Sequence, residues 1–503
     1  MSLSFITPQD AYERARIANV HPHDWSNPSP ASPYQLAIIG AGPGGLAAAE
    51  VANALGARVA LIERDMIGGG CLNVGCVPSK TIIRTAQLYA DMRDAQRYGA
   101  EVPCDITVDF SAVMARVRRI RTHLSGGDSA RRLADKGIDL FFGDARFTGP
   151  DTLSIDGAAL RFEKALIATG SHPMVPPIPG LAEAGYLTNE NIFELTELPR
   201  RLMIIGGGPL GCEVAQAFCR LGAKVTIVQD KPLFLGKEER DAAQILSDAF
   251  ARDGIEVRLN TMVAAVRTEN GEKLVDLVSD DYRNTVTVDA IGVGIGHEPN
   301  VEQVGLEDAG VDYDVTNGVH VDDFLRTSNP NIFAAGDVCL EYKYTHTAEA
   351  AAHIVVENAL FGGRKRLSEL VIPWCTFTDP EIAHVGLYVR EANRLGIPVK
   401  TFTIPMHEID RAMTDSAQDG FVKIHLKGRT DKILGATIVG RHAGDMINEV
   451  TLAMVTGIGL RTLARVIHAY PTQAAAIQKA AQAYYRTRFT SSIQARARRW
   501  LAR

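Results

Sequence analysis

The chain has 503 residues, of which 46% are apolar and 22% charged, and its net charge is −6. That size suits about three domains with large cores, and the balance is that of an ordinary globular protein, with no basic surplus to suggest a nucleic-acid partner. No run of eighteen apolar residues occurs, so the sequence holds no segment of spanning type.

The opening stretch MSLSFITPQDAYERARIANV carries acids and lacks the apolar centre of a secretory signal, so a cytoplasmic location is the expectation. Residues 1–33 end in a run with Pro22, Pro28, Pro30 and Pro33, which reads as an extended strap on the surface and not as packed structure. At Tyr34 the pattern changes to YQLAIIGAGPGGLAAAEVANALGARVALIE, residues 34–63. This is an apolar strand, a glycine turn, an alanine-rich helix and a second apolar strand ending in an acid. Gly40 suits the tight turn, Gly42 the approach of a pyrophosphate, Gly45 close helix–strand packing, and Glu63 a ribose hydroxyl. Together they predict a dinucleotide site, with phosphates at the helix N-terminus.

Next comes GGGCLNVGCVPSK, residues 68–80, with Cys71 and Cys76 five positions apart. A disulfide needs Cα atoms closer than a regular helix allows at that spacing, so the chain must kink between the sulfurs, and Gly75 permits it. Three readings compete: a zinc half-site, a structural staple and a redox-active disulfide. No second Cys or His pair at ligand spacing follows, and a cytosolic chain of this size rarely needs a staple. The redox reading is the strongest. Of seven cysteines, the other five (Cys104, Cys212, Cys219, Cys339, Cys375) are scattered and read as mostly buried small hydrophobes.

Residues 81–135 suggest Arg-rich helices, and 138–168 suggest short strands ending at ALIATGS, with Thr169 and Gly170 in its turn. The dinucleotide unit then returns 166 residues on, as RRLMIIGGGPLGCEVAQAFCRLGAKVTIVQ, with Gly206, Gly208 and Gly211 answering to Gly40, Gly42 and Gly45. Two such units imply two nucleotides used together. Gln229 stands where the first copy has Glu63, and Glu213 where it has Ala47. A neutral Gln lifts the repulsion that an acid would exert on a 2′-phosphate. Lys231 and Lys237 follow without forming an arginine-type clamp, so NADPH is favoured slightly and NADH stays open. Further on, SNPNIFAAGDV leads a strand into Gly336-Asp337, a turn suited to a sugar-phosphate chain.

On these residues the chain resembles the class I pyridine nucleotide–disulfide oxidoreductases, which include glutathione reductase, dihydrolipoamide dehydrogenase and mercuric reductase. The resemblance rests on CLNVGCVPSK, both glycine motifs, ATGS at 168–171, AAGD at 334–337 and FTDPEIAHVGL at 377–387. It implies an α/β fold of two Rossmann-type domains and a C-terminal α+β dimerisation domain, with FAD on the first unit, NAD(P)H on the second, and a homodimer. The expected boundaries are 1–33 for the extension, 34–170 with 290–370 for the FAD domain, 171–289 for the NAD(P) domain, 371–485 for dimerisation and 486–503 for a tail. It further implies that Cys71 exchanges with substrate, that Cys76 is the thiolate beside the flavin, and that Lys80 near the flavin pairs with Glu213.

The pattern breaks near the C-terminus. The disulfide reductases of the family carry His-Pro-Thr with a Glu five residues after the His; here HAYPTQAAA puts Tyr470 and Ala475 at those places. A phenol is a poor base at neutral pH. Tyrosine there resembles mercuric reductase, whose soft metal ion needs no proton shuttle, and Cys71 with Cys76 would hold that ion transiently. The metal-delivering cysteines of that branch are absent, since none follows Cys375. The leading expectation is an FAD-dependent NAD(P)H oxidoreductase acting on a soft metal or a small disulfide or electrophile, with Hg(II) first. One alternative is a lipoamide- or glutathione-type reductase rescued by His468; another is a membrane-surface electron relay or redox sensor.

The last alternative comes from the tail. After Glu449 no acid occurs, six arginines lie from 486 onward, and Phe489, Ile493, Ala497, Trp500 and Leu501 form one helical stripe. A basic amphipathic end with Trp reads as a weak membrane-surface contact, against the alternative of a solvated or dimer-packed helix.

Overall fold

Every residue of Tyr34–Ile39 except Gln35 is a buried apolar or aromatic side chain, so both faces of this strand, β1, are covered. Leu36 and Ile38 point into one core and Ala37 and Ile39 into another, as expected for a parallel sheet covered on both sides. In this computed structural model, which describes residues 10–31, 33–103, 105–280, 282–489 and 491–502, the chain divides into two compact units. The first comprises the chain up to Leu233 with Ile255–Leu370; the second comprises Phe234–Gly254 with the chain from Val371.

In the first unit β1 lies between β2 (Val59–Glu63) and the later strand Ala158–Ile167, and all three run parallel. Strand Asp139–Phe142 extends the sheet beyond β2, and Ile332–Ala334 pairs with Ala158–Ile167. The second glycine unit builds its own parallel sheet in the order 256–258, 224–228, 201–205, 290–293. Strand Ala290–Val293 therefore stays with the second nucleotide sheet, where the sequence reading gave it to the first domain: its apolar run pairs with Leu202–Ile205 and has no partner in the first sheet.

The amino-terminal extension departs from the expected strap. Residues Ala11–Val20 form a helix, α1, capped by Asp10, whose carboxylate accepts from the Glu13 N–H at 2.9 Å. Ile17 and Val20 enter the core with Leu36 and Ile38. Glu13, Arg16, Ile17 and Val20 make an i, i+3, i+4, i+7 stripe, but two of the four are charged, so hydropathy alone conceals it. Beyond α1 an irregular segment does follow. Within it Asn27 brackets the end of the strand Asp139–Phe142, with its side chain bonded to Phe142 N–H and C=O at 2.8 and 2.7 Å.

The second unit is a five-stranded antiparallel sheet, ordered 373–376, 381–386, 433–440, 421–427, 399–405. Helices Ala443–Val455 and Ala475–Arg486 pack on it through Val450, Ile477 and Tyr484. The helix Arg240–Asp253, expected in the NAD(P) domain, groups with this unit. Glu238 just before it accepts from Trp374 Nε1 at 3.0 Å and Tyr388 OH at 2.7 Å, and Lys423 meets Glu239 and Asp241. No helix among the described residues is long and apolar enough to cross a membrane.

Candidate active site

The two glycine loops are built alike. Gly40 has φ +103, and a Cβ there would fall 2.3 Å from the Ala168 carbonyl oxygen; Gly206 has φ +108, with the Gly294 carbonyl at 2.5 Å. A side chain on Gly45 would meet Gly40 O at 1.9 Å, and one on Gly211 would meet Gly206 O at 2.3 Å. The helices that follow, α2 (Pro43–Ala54) and Pro209–Arg220, start at Gly42 and Gly208 with no side chain capping their first N–H groups. Those amides are donors for a phosphate.

Glu63 accepts from the Ala41 N–H at 2.7 Å, and Gln229 accepts from Gly207 at the same distance. Both residues thus close their glycine loop from below. Burial pushes the Glu63 carboxyl up, against the two N–H bonds from Ala41 and Asp65 that favour its charge. Gln229 also donates to Asp230 at 3.0 Å, while Lys231 is exposed.

The turn 168–171 joins the first site. Thr169 donates to Asn300 O at 2.8 Å, Gly170 has φ +72, and Ser171 donates to Asp337 at 2.7 Å. Asn300, not singled out from sequence, closes the cluster by donating to Thr169 O at 2.8 Å.

The sulfur pair sits where two helices meet. Gly69–Val74 forms α3 and Cys76–Arg93 forms α4, broken at Gly75, where a Cβ would stand 2.8 Å from Gly70 O. The preceding glycines have their own cause: Gly69 has φ +55 and a Cβ there would lie 2.8 Å from Gly42 Cα. The segment carrying Cys71 is thereby pressed onto the first phosphate loop, and Gly68 N–H donates to Ala41 O at 2.8 Å.

Cys71 is half-buried, Cys76 is exposed, and both are free thiols. A hydrogen bond from Cys71 holds the Cys76 thiol down to about 6; burial opposes this, and the Lys80 charge and the Thr345 hydroxyl assist. The same bond, with burial, pushes Cys71 up. Lys80 Nζ lies 2.8 Å from Glu213 Oε2, the carboxylate buried and the ammonium half-buried. Thr345 Oγ1 lies 3.6 Å from Cys76 Sγ and opens the helix Thr345–Phe361. That N-terminus adds partial positive charge near the thiolate. Sequence reasoning missed Thr345, although the alanine-rich run after AAGD signalled a helix start.

The remaining candidates lie in the second unit. Tyr470 is 79% exposed and donates to Asp410 at 2.8 Å, which raises its pKa and makes the phenol a still weaker base. His468 is different: its Nε2 lies 3.0 and 3.1 Å from the two carboxylate oxygens of Glu449. Ala475 leaves the family's glutamate position empty, yet Glu449 on another helix gives His468 a carboxylate partner. Of the other cysteines, Cys212 is buried, Cys219, Cys339 and Cys375 are half-buried, and Cys104 lies outside the described residues. Among the described residues no group of three or more His, Cys, Asp or Glu side chains is placed to hold a metal ion.

Residues 34–352 match the pyridine nucleotide-disulphide oxidoreductase family, and residues 372–481 match its dimerisation domain. The chain belongs to this family. Like other pyridine nucleotide-disulphide oxidoreductases, it is built for FAD with NAD(P)H as electron donor. It is 35% identical to a mercuric reductase of Streptomyces lividans over 90% of its length and 96% of the relative's. It is also 32% identical to a dihydrolipoyl dehydrogenase of Thermus scotoductus, covering 90% of this chain and 98% of that one. Among solved structures it resembles the HOCl-induced flavoprotein disulfide reductase RclA from Escherichia coli, with a TM-score of 0.79 and 30% identity over 89% and 99% of the two chains.

The first loop fits FAD on its own terms. A Cβ at Gly40 or Gly45 would close the cradle, and the start of α2 presents unpaired amides where a pyrophosphate would lie. The residues that would hold the dinucleotide are Gly40, Gly42, Gly45, Glu63, Thr169, Gly170 and Asp337. At the second glycine loop Gly206, Gly208, Gly211, Gln229 and Lys231 would hold NAD(P)H.

Proposed function

We propose that this oxidoreductase passes electrons from NAD(P)H through Cys71 and Cys76 to a soft metal ion or a small electrophile, with Hg(II) as the leading substrate. The observation that carries the reading is the thiol pair itself: Cys71 donates to a Cys76 sulfur whose pKa is held down to about 6, beside Lys80 and Thr345. When bound, FAD supplies the two-electron relay between nicotinamide and sulfur. Cys71 takes the acceptor, Cys76 holds the negative charge, and the Lys80–Glu213 pair fixes a cation beside it.

Proton balance favours the metal. NAD(P)H and Hg(II) give NAD(P)+, H+ and Hg(0), so the acceptor needs no proton. Reduction of a disulfide to two thiols consumes one, and Tyr470, tied to Asp410, is ill suited to deliver it. Two thiolates are the ligands a soft cation prefers. The test is NADPH oxidation dependent on Hg(II) in excess small thiol. It is expected in the parent and absent in Cys71→Ala; turnover that survives Cys71→Ala would refute the reading.

A second reading, thiol–disulfide reduction of the lipoamide type, is favoured by one observation, the His468–Glu449 pair. It expects steady-state reduction of lipoamide that His468→Ala removes. The assembly we propose is a homodimer formed through the dimerisation domain. The tail 486–503 is proposed to touch an anionic membrane surface weakly: its helix Ser491–Leu501 exposes Trp500 and Leu501 at 74% and 77%.

A further inference from the structure

We infer that helix α1 is a positioning element for the redox segment, with Arg16 and Arg121 together gripping Asn73 and so fixing the chain between Cys71 and Cys76. The inference rests on the Cys71–Cys76 exchange proposed above.

Asn73 sits in α3 between the two cysteines and is almost fully buried. Its amide nitrogen donates to Ile67 O at 3.0 Å and Gly69 O at 2.9 Å. Its side-chain oxygen accepts from Arg16 Nη1, and its main-chain oxygen accepts from Arg121 Nη1 at 2.9 Å. Every polar group of that side chain is therefore spent on locking the segment. Arg16 also reaches Met66 Sδ at 3.2 Å, and Val20 O at the end of α1 accepts from Ile67 N–H at 3.1 Å. One short helix thus binds the redox segment at residues 66, 67 and 73.

The charges that do this are themselves buried. Glu13 and Arg121 are wholly inaccessible and Arg16 is 1% exposed. Arg16 is paired with Glu13, and Arg121 with Glu194 at 2.6 Å and Glu13 at 3.6 Å, giving two cations and two carboxylates. Burying three of these charges, with Glu194 half-buried beside them, costs more than an apolar contact of equal volume. What the charges add is direction: guanidinium hydrogen bonds fix the position of an acceptor in a way that packing alone does not. Forming and opening a sulfur–sulfur bond across five residues depends on that position. With Asn73 held, the change between dithiol and disulfide is confined to the two sulfur side chains and Gly75, and the bond from Cys71 to the Cys76 thiolate is pre-formed.

The test uses the flavin-loaded protein and two readouts that do not depend on turnover. These are the pH profile of Cys76 alkylation by iodoacetamide, read by mass spectrometry, and the dithiol–disulfide equilibrium in glutathione buffers. In Arg16→Met the alkylation midpoint is expected to rise by about one pH unit. The equilibrium should move about tenfold toward disulfide, close to 30 mV, because the reduced form loses its support. Arg16→Lys, which keeps the charge but loses the fork, should fall between. Arg16→Met leaves Glu13 with only its 3.6 Å contact to Arg121; if it does not fold, Glu13→Leu with Arg16→Met removes both charges together.

Native-state hydrogen exchange of the unaltered protein gives an arm without variants: the amides of 11–20 and of 66–74 should lose protection together. A folded variant with unchanged midpoints, or independent exchange of the two segments, overturns the inference. A parent protein in which Cys71 and Cys76 show no reversible alkylation sinks the redox reading instead, so the two failures are told apart.

Discussion

Lys80 and Glu213 act on Cys76 with opposite signs. The ammonium lowers the thiol pKa, and the carboxylate behind it raises it. Lys80→Met should therefore move the alkylation midpoint of Cys76 up from about 6, and Glu213→Gln should move it down, each by about one unit or less. Shifts of the same sign in both variants would mean that the pair acts by packing and not by charge. Cys71, Cys76 and Lys80 were legible in the sequence because they lie in one contiguous motif, while Glu213 was placed beside Lys80 by the family resemblance. Thr345 was not, since it reaches Cys76 from 269 positions away and a lone Thr before an alanine run carries no chemical mark. Glu449 was equally hidden: nothing in HAYPTQAAA indicates that a carboxylate nineteen positions earlier meets His468.

Strand Ala290–Val293 and helix Arg240–Asp253 changed domain, but α1 is the element whose burial the sequence concealed, and the cause is that its inner face is half ionic. A periodicity test rewards apolar residues, and Glu13 and Arg16 count against burial although both are inaccessible. The glycine units and the strands beside them were readable because each needs a specific backbone shape that few residues allow. The sheet of the second unit supports a prediction at this scale. His384 on strand Glu381–Gly386 is inaccessible, stacks on Tyr388 at 3.7 Å and bonds Thr437 and the Gly386 carbonyl. Burial pushes its pKa down to about 3. The unfolded imidazole takes its proton near 6.5, so between those values the unfolded chain binds one proton more and stability falls as pH drops, by about 1.4 kcal/mol per pH unit. Urea unfolding of the second unit should show that slope below pH 6.5 and lose it in His384→Gln. The tail helix gives another. Co-sedimentation with anionic vesicles should fall in salt and vanish when 486–503 is removed; binding that survives the deletion places the contact elsewhere.

For the whole molecule, the two nucleotide folds should be separable by single methyl groups. Gly45→Ala puts a Cβ against Gly40 O and should yield colourless protein, whereas Gly211→Ala should keep its flavin yet resist bleaching by NADPH. A yellow, NADPH-reducible Gly211→Ala variant would show that this loop gives way. The same view explains why the acceptor was less legible than the cofactors. Nucleotides are recognised by backbone turns that leave a strong trace in sequence. The side chains weighed for the acceptor are paired only by folding, Tyr470 with Asp410 and His468 with Glu449.

The paired loops have one more consequence. Glu63 and Gln229 make the same hydrogen bond to the same place in their respective turns, one as a carboxylate and one as an amide. Loop geometry is therefore insensitive to which of the two is present, while the local electric field is not. Exchanging them, Glu63→Gln with Gln229→Glu, would leave both folds standing and invert which pocket tolerates an extra phosphate.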